Sequence, residues 1–254
     1  MPDVTIIDVD ENNIDKYPPV CFLNPKNEGY QIKRAWLKNR FAEGLKIKLL
    51  YVKNEKKSVG FIEYVPSEYA WRAVDAAGYL FIHCIWVSPN KYKEQGYGSL
   101  LVEECMQDAE QAGKYGVAVV TSEGPFMAGK ALFVKNGFTS VAQAKPSFDL
   151  MVKTIKEGPQ PQFRDWEQQF HNYTGLHVIH ANQCPWVARS IKDLTEIAKK
   201  NGLELHVTEL KTAQEAQNAP SLYAIFNLVY NGNLLVDHYV SNTRFQNIIK
   251  KELQ

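Results

Sequence analysis

Lys93-Glu94-Gln95-Gly96-Tyr97-Gly98-Ser99 carries the clearest chemical signal in this sequence. It follows an apolar run that ends at Val87 and opens a helical pattern beginning at Gly98. A glycine loop at a strand-to-helix junction is an anion site. Its glycines admit close backbone approach, successive N–H groups converge, and the helix dipole adds partial positive charge. A pyrophosphate such as that of coenzyme A fits this chemistry. The dinucleotide form G-x-G-x-x-G is not met, because position 101 is Leu. Taken alone, Gly96-x-Gly98 also reads as a tight turn before a helix.

Three side chains are candidates for taking up a proton. His83 interrupts the apolar run and has a suitable ordinary pKa. Glu63 and Glu123 are the carboxylate candidates. His83 reads equally as a hydrogen-bonded core histidine, and Glu123 as a solvated loop carboxylate. Cys21, Cys84, Cys105 and Cys184 include no C-x-x-C pair, so neither a metal site nor a dithiol redox centre is expected.

These groups need a scaffold, and the chain is long enough to supply one or two domains. It has 254 residues, 45% hydrophobic and 22% charged, the balance of an ordinary globular protein. Net charge is +1: residues 1–157 carry 20 Lys/Arg and 19 Asp/Glu, leaving 9 and 9 for the rest. Neither half is a basic block, so nucleic acid is not an expected partner. The run Tyr79–Val87 is too short to span a bilayer, and Met1–Asn13 lacks a signal-peptide core. No membrane partner is expected, and the expected location is the cytoplasm.

Periodicity predicts strands at Val4–Asp8, Lys46–Lys53, Ser58–Tyr64, Gly78–Val87, Gly116–Thr121, Phe138–Gln143 and Phe148–Lys153. Helices are expected at Tyr30–Ala42, Gly98–Gly113 and Met127–Asn136, with Gly137 ending the last in a left-handed turn. Glu157-Gly158-Pro159-Gln160-Pro161 reads as a linker. A β-α-β-α-β-β-α order then runs from Leu176, through a helix at Pro185–Asn201, a capping box at Thr212–Glu215 and an Asn231-Gly232 hairpin turn, to a helix from Asn242.

The loop at Lys93–Ser99 resembles the Gln/Arg-x-x-Gly-x-Gly/Ala signature of GNAT N-acetyltransferases, with Lys93 in the Gln/Arg place. Ala131-Leu132-Phe133-Val134-Lys135-Asn136-Gly137-Phe138 resembles the second GNAT signature. Trp71-Arg72, Phe81–Val87, Val119–Pro125 and Asn227–Leu235 look like the YoaP-type members, which join a GNAT domain to a small thioredoxin-like domain. The resemblance covers nearly the whole chain. It implies an α/β (α+β) architecture: a GNAT mixed central sheet with flanking helices, plus a smaller thioredoxin-like domain. The expected division is 1–157 for the acetyl-CoA-binding domain, 158–174 for a linker and 175–254 for the second domain.

The resemblance also implies acetyl transfer from acetyl-CoA to an amine of unidentified acceptor. Ile85 and Val87 become the expected backbone partners of pantetheine, on a strand that splays from its neighbour. Lys93, Glu94, Gln95, Gly96, Tyr97, Gly98 and Ser99 become the pyrophosphate loop. His83 and Glu123 are the candidate bases, Trp71 and Arg72 the candidate acceptor contacts. The usual acid is a Tyr, but here that cofactor-side position is Phe133, which cannot donate a proton. Cys184 falls where thioredoxins carry C-x-x-C, with Val187 in the second place, and Ala224 falls at their cis-proline position. Cys184, with His180 nearby, reads either as a monothiol site or as a small buried thiol in a docking module. A coenzyme A sensor without turnover stays open beside the enzyme.

Overall fold

The computed structural model describes residues 3–19, 21 and 23–253. Its contacts divide the chain into two compact units. The first comprises Met1–Leu23, Leu37–Ala70 and Asp75–Phe163; the second comprises Asn24–Trp36, Trp71–Val74 and Arg164–Gln254.

The first unit is built on β1 (Val4–Val9), β2 (Lys46–Val52), β3 (Gly60–Pro66), β4 (Leu80–Val87), β5 (Gly116–Ser122), β6 (Thr139–Ala144) and β7 (Phe148–Thr154). These strands join in the order β1-β2-β3-β4-β5-β7-β6. All neighbours are antiparallel except β4 and β5, which run parallel. The helices of this part of the chain are α1 (Glu28–Phe41), α2 (Tyr97–Gln111) and α3 (Lys130–Lys135). A parallel step requires a crossover, and α2 lies within it. The strands, helices and mixed sheet match the sequence expectation, with ends moved by a few residues.

Sequence pattern explains why α2 packs. Leu101, Val102, Cys105 and Ala109 recur at helical spacing and share one buried cluster with Ile62, Ile82, Val117 and Val119 of the sheet. Each fully buried Leu, Ile or Val contributes about 1.5–3 kcal/mol. Asp108 on the same helix is buried but well partnered. It accepts from Tyr64 Oη at 2.5 Å and from Lys46 Nζ at 2.7 Å. Burial pushes its carboxyl up, and the bonds from Lys46 and Tyr64 with the charge of Lys48 outweigh that, leaving it below the ordinary value.

Gly137 has φ +82°, as expected for a residue ending α3. The Gly158 stretch is held more firmly than a free linker. A Cβ at Gly158 would stand 2.3 Å from Tyr115 Cγ, so the backbone rests on that ring.

The second unit carries β8 (Leu176–Ala181), β9 (Leu205–Leu210), β10 (Phe226–Tyr230) and β11 (Asn233–Val236), with α4 (Val187–Lys200), α5 (Ala213–Gln217) and α6 (Asn242–Ile248). The sheet order is β9-β8-β10-β11, with β8 and β9 parallel and the other pairs antiparallel. The β-α-β-α-β-β-α order expected from the sequence is therefore present. Thr212 and Glu215 form the capping box at α5. Asn231 and Gly232 both have positive φ, as a type I′ hairpin requires. One expectation is corrected: α4 begins at Val187 rather than Pro185, so Cys184 precedes even the N-cap, Trp186. Among the described residues no helix is long and apolar enough to cross a membrane.

Candidate active site

The ladder between β4 and β5 has three rungs: Leu80↔Val117, Phe81↔Ala118 and Ile82↔Val119. Both strands continue, β4 to Val87 and β5 to Ser122. On its other side β4 stays paired with β3 as far as Val87. The strands therefore part beyond Ile82, and the β5-facing edge of β4 from His83 to Val87 is left outside the ladder. Ile85 and Val87 lie on this stretch and pack against the α2 cluster. Its main-chain groups are a ready-made template for an extended ligand.

The glycine loop follows the end of β4. Lys93, Glu94 and Gln95 are exposed, and Glu94 has φ +63°. Gly96 sits at φ +84° as the N-cap of α2, and no side chain caps the helix. The first-turn N–H groups are thus available to an anion. A Cβ at Gly96 would meet nothing within 4 Å, so there is open space over the turn. Ser99 Oγ accepts from Asn136 Nδ2 at 3.0 Å, tying the loop to the end of α3. That contact links the two sequence signatures and was not read from the sequence. Tyr97 is buried, and its hydroxyl has no hydrogen-bond partner among the described residues.

Phe133 is fully buried, edge-on to Phe138 at 5.3 Å between ring centroids. It belongs to the same cluster as Ile85, Val87 and Tyr97. His83 Nδ1 lies 3.3 Å from Glu63 Oε1, both side chains buried. Glu123 is exposed, immediately beyond β5. The structure thus brings Ile85, Val87, Tyr97 and Phe133 together in one cluster. It sets Glu123 apart at the end of β5.

Trp71 and Arg72 fall in the second unit and are buried. Trp71 packs edge-on against Trp36 at 5.1 Å. Arg72 Nη1 donates to the Trp71 carbonyl at 2.7 Å and to Gln183 Oε1 at 2.9 Å. Cys184 follows that glutamine and is half-buried. His180, at the end of β8, is buried, and desolvation pushes its pKa down to about 4. Among the described residues, no three His, Cys, Asp or Glu side chains group to hold a metal.

The acetyltransferase (GNAT) family model matches residues 12–138, half of the chain. The chain belongs to the GNAT acetyltransferase family. The GNAT match includes the splayed strands, the glycine loop and Phe133. A YoaP-like model matches residues 204–247, so Cys184 lies in neither match. Over 249 residues the chain is 29% identical to the uncharacterized N-acetyltransferase YoaP of Bacillus subtilis (strain 168), covering 96% of this chain and 97% of that protein. Solved GNAT structures overlap about three fifths of the chain. The ribosomal-protein-S18-alanine N-acetyltransferase of Escherichia coli is 17% identical, covers 62% of this chain and 97% of its own, and has a TM-score of 0.39. A GNAT family acetyltransferase of Brucella melitensis in complex with acetyl-CoA is 15% identical, covers 65% and 95%, and has a TM-score of 0.39.

Proposed function

We propose that the protein is an N-acetyltransferase that moves the acetyl group of acetyl-CoA to an amine by direct attack. The observation that carries this reading is the parting of β4 and β5 beyond Ile82↔Val119, with the uncapped loop of α2 at its end. Pantetheine would pair along Ile85 and Val87. The pyrophosphate would rest on the N–H groups around Gly96, Tyr97, Gly98 and Ser99, flanked by Lys93, Glu94 and Gln95. Positioning amine and thioester together supplies most of the rate in such a transfer. A main-chain N–H of β4 beyond Ile82 would polarise the thioester carbonyl. His83 is the proposed base. Glu123, exposed beside the end of β5, is proposed to meet the incoming acceptor.

Phe133 is an apolar ring buried on Phe138, so this position supplies no proton. The coenzyme then departs as a thiolate. The same observation supports a second reading, a coenzyme A-binding sensor without turnover. The second unit is proposed to be thioredoxin-like, on the strength of its β9-β8-β10-β11 order. Residues 1–157, 158–174 and 175–254 are proposed as catalytic domain, linker and thioredoxin-like domain.

Calorimetry with acetyl-CoA, followed by an amine panel read by thiol release, tests this function. Micromolar binding with amine-dependent release is the expected result. Binding without release from any amine favours the sensor, and no binding refutes both readings.

A further inference from the structure

β11 is the outermost strand of the second sheet, and among the described residues it pairs with β10 alone. No other main-chain hydrogen bond among those residues reaches Asn233–Val236. The outer edge is therefore open to a further strand. Beside it lies α6, which runs on through Ile249–Leu253 as a π-helical turn. Phe245 and Ile249 of this segment are buried in the core. Arg244, Ile248 and Lys251 recur at helical spacing on a second face. That face and β11 line a groove of about 510 Å³, within the range of about 300–1,000 Å³ of ordinary ligand sites. Leu234 and Ile248 give the groove its apolar part, and Arg244, Asn247 and Lys251 its polar part. Lys251 Nζ is already held by Glu252 Oε1 at 2.9 Å. Arg244 is exposed, and its guanidinium has no partner among the described residues.

We propose that this groove takes an extended, acidic peptide segment of a partner protein, added to β11 as a fifth strand with a carboxylate on Arg244. The added strand forms main-chain hydrogen bonds with the open edge, as in β-strand addition generally. Its side chains alternate between two faces. Apolar ones lie over Leu234 and Ile248, and an Asp or Glu reaches the guanidinium. Arg pairs a carboxylate bidentately, which fixes the register of the incoming strand. Charge selects the occupant. Lys251 and Glu252 offset each other, so Arg244 leaves the groove with one uncompensated positive charge. A second copy of this chain docked edge to edge would bring the same cationic groove and set like charges together. The inference concerns the second unit by itself and goes beyond acetyl transfer.

The probes are hexapeptides of Val and Thr, capped at both ends, each with a single Glu at an early, middle or late position, together with their Gln counterparts. They are added to the full-length chain, with binding read by calorimetry and mapped by amide hydrogen exchange. At least one Glu peptide is expected to bind about fivefold more tightly than its Gln counterpart. Its binding should slow exchange at Asn233–Val236 and leave Leu205–Leu210 of β9, the other outer strand, unchanged. Arg244→Gln, shown to be folded by circular dichroism, should lose that preference and bind the Gln peptide as the wild type does. The proposal is overturned if no Glu peptide binds, if Glu and Gln forms bind alike, or if Arg244→Gln keeps the preference. Protection at β9 instead of β11 overturns it as well. So does a dimer of the peptide-free chain, seen by sedimentation, in which β11 is already protected, because that edge would then belong to a second copy.

Discussion

Two of the strand-loop-helix junctions are finished differently. In the first, β4 gives way to α2 through residues 88–96; in the second, β8 gives way to α4 through residues 182–186. The first loop is long and exposed at Lys93–Gln95, turns through two positive-φ residues, and leaves open space over Gly96. The second is short and packed. Gln183 is buried and held by Arg72, and a Cβ on Gly29 would stand 2.0 Å from the Pro185 carbonyl. Helix dipoles point at both loops, so the dipole alone does not distinguish a ligand site. What distinguishes them is whether backbone N–H groups face free volume or neighbouring chain.

The sharpest way to break that contrast is to fill the open junction. Gly96→Glu places a carboxylate where an anion is expected, at a φ that L-residues adopt at a cost of about 1–2 kcal/mol. Acetyl-CoA binding should weaken about 100-fold or more, a loss of about 3 kcal/mol, while circular dichroism shows a folded chain. Unchanged affinity by calorimetry would detach the cofactor from this loop.

The packed junction makes a pH prediction that the open one does not. His180 is the last residue but one of β8, with Nδ1 lacking a hydrogen-bond partner among the described residues, and burial lowers its pKa from 6.5 to about 4. Between those values the unfolded chain takes up a proton that the folded chain refuses. Stability is therefore whole above pH 6.5 and declines as pH falls toward 4, by about 3 kcal/mol at the bottom of the range. Denaturant midpoints at pH 7 and pH 4.5 should differ in the wild type and converge in His180→Gln. Parallel pH slopes in the two would mean that His180 is not desolvated.

A smaller effect is expected from loosening the packing itself. Arg72→Leu removes the donor from buried Gln183 Oε1, at a cost of about 1–3 kcal/mol. Hydrogen exchange should quicken through Asn182–Val187. Unaltered exchange there would show that Arg72 does not hold this loop.

The contrast explains what was legible in the sequence. The glycine loop could be read because Gly96 and Gly98 flank the first helical residue, Tyr97, after an apolar strand, a purely local signal. The capping box at Thr212 and the Asn231-Gly232 turn were legible for the same reason. The start of α4 was not: Pro185 suits the first helical turn, yet it lies in a turn ahead of Val187. The register shift at which Glu63 pairs with Cys84 but Tyr64 pairs with Ile82 leaves no composition signal, since it depends on how β3 pairs with β4. Nor could Trp71 and Arg72 be assigned to the second unit, because their partners Trp36 and Gln183 are 35 and 111 residues away.

The least perturbing test uses the residue facing the fold's other turn problem. Ala224 stands where the thioredoxin resemblance expects a cis-proline, and it adopts φ +58° while buried. Its N–H donates to Ser221 Oγ at 3.2 Å, and its carbonyl accepts from Asn227 Nδ2 at 3.0 Å. The first junction meets one of its two positive φ values with Gly96; the turn before β10 meets its own with alanine. Left-handed alanine costs about 1–2 kcal/mol, and glycine returns about 0.5–1 kcal/mol of that as unfolded-state entropy. Ala224→Gly should therefore stabilise the protein by about 1 kcal/mol or less, seen as a slightly higher denaturant midpoint. Ala224→Pro should do the opposite, because proline fixes φ near −65° and removes the N–H that Ser221 accepts. A stabilising proline would mean that this turn takes the conformation the resemblance implies rather than the left-handed one. A destabilising glycine would mean that the alanine methyl contributes more by packing than its strained φ takes away.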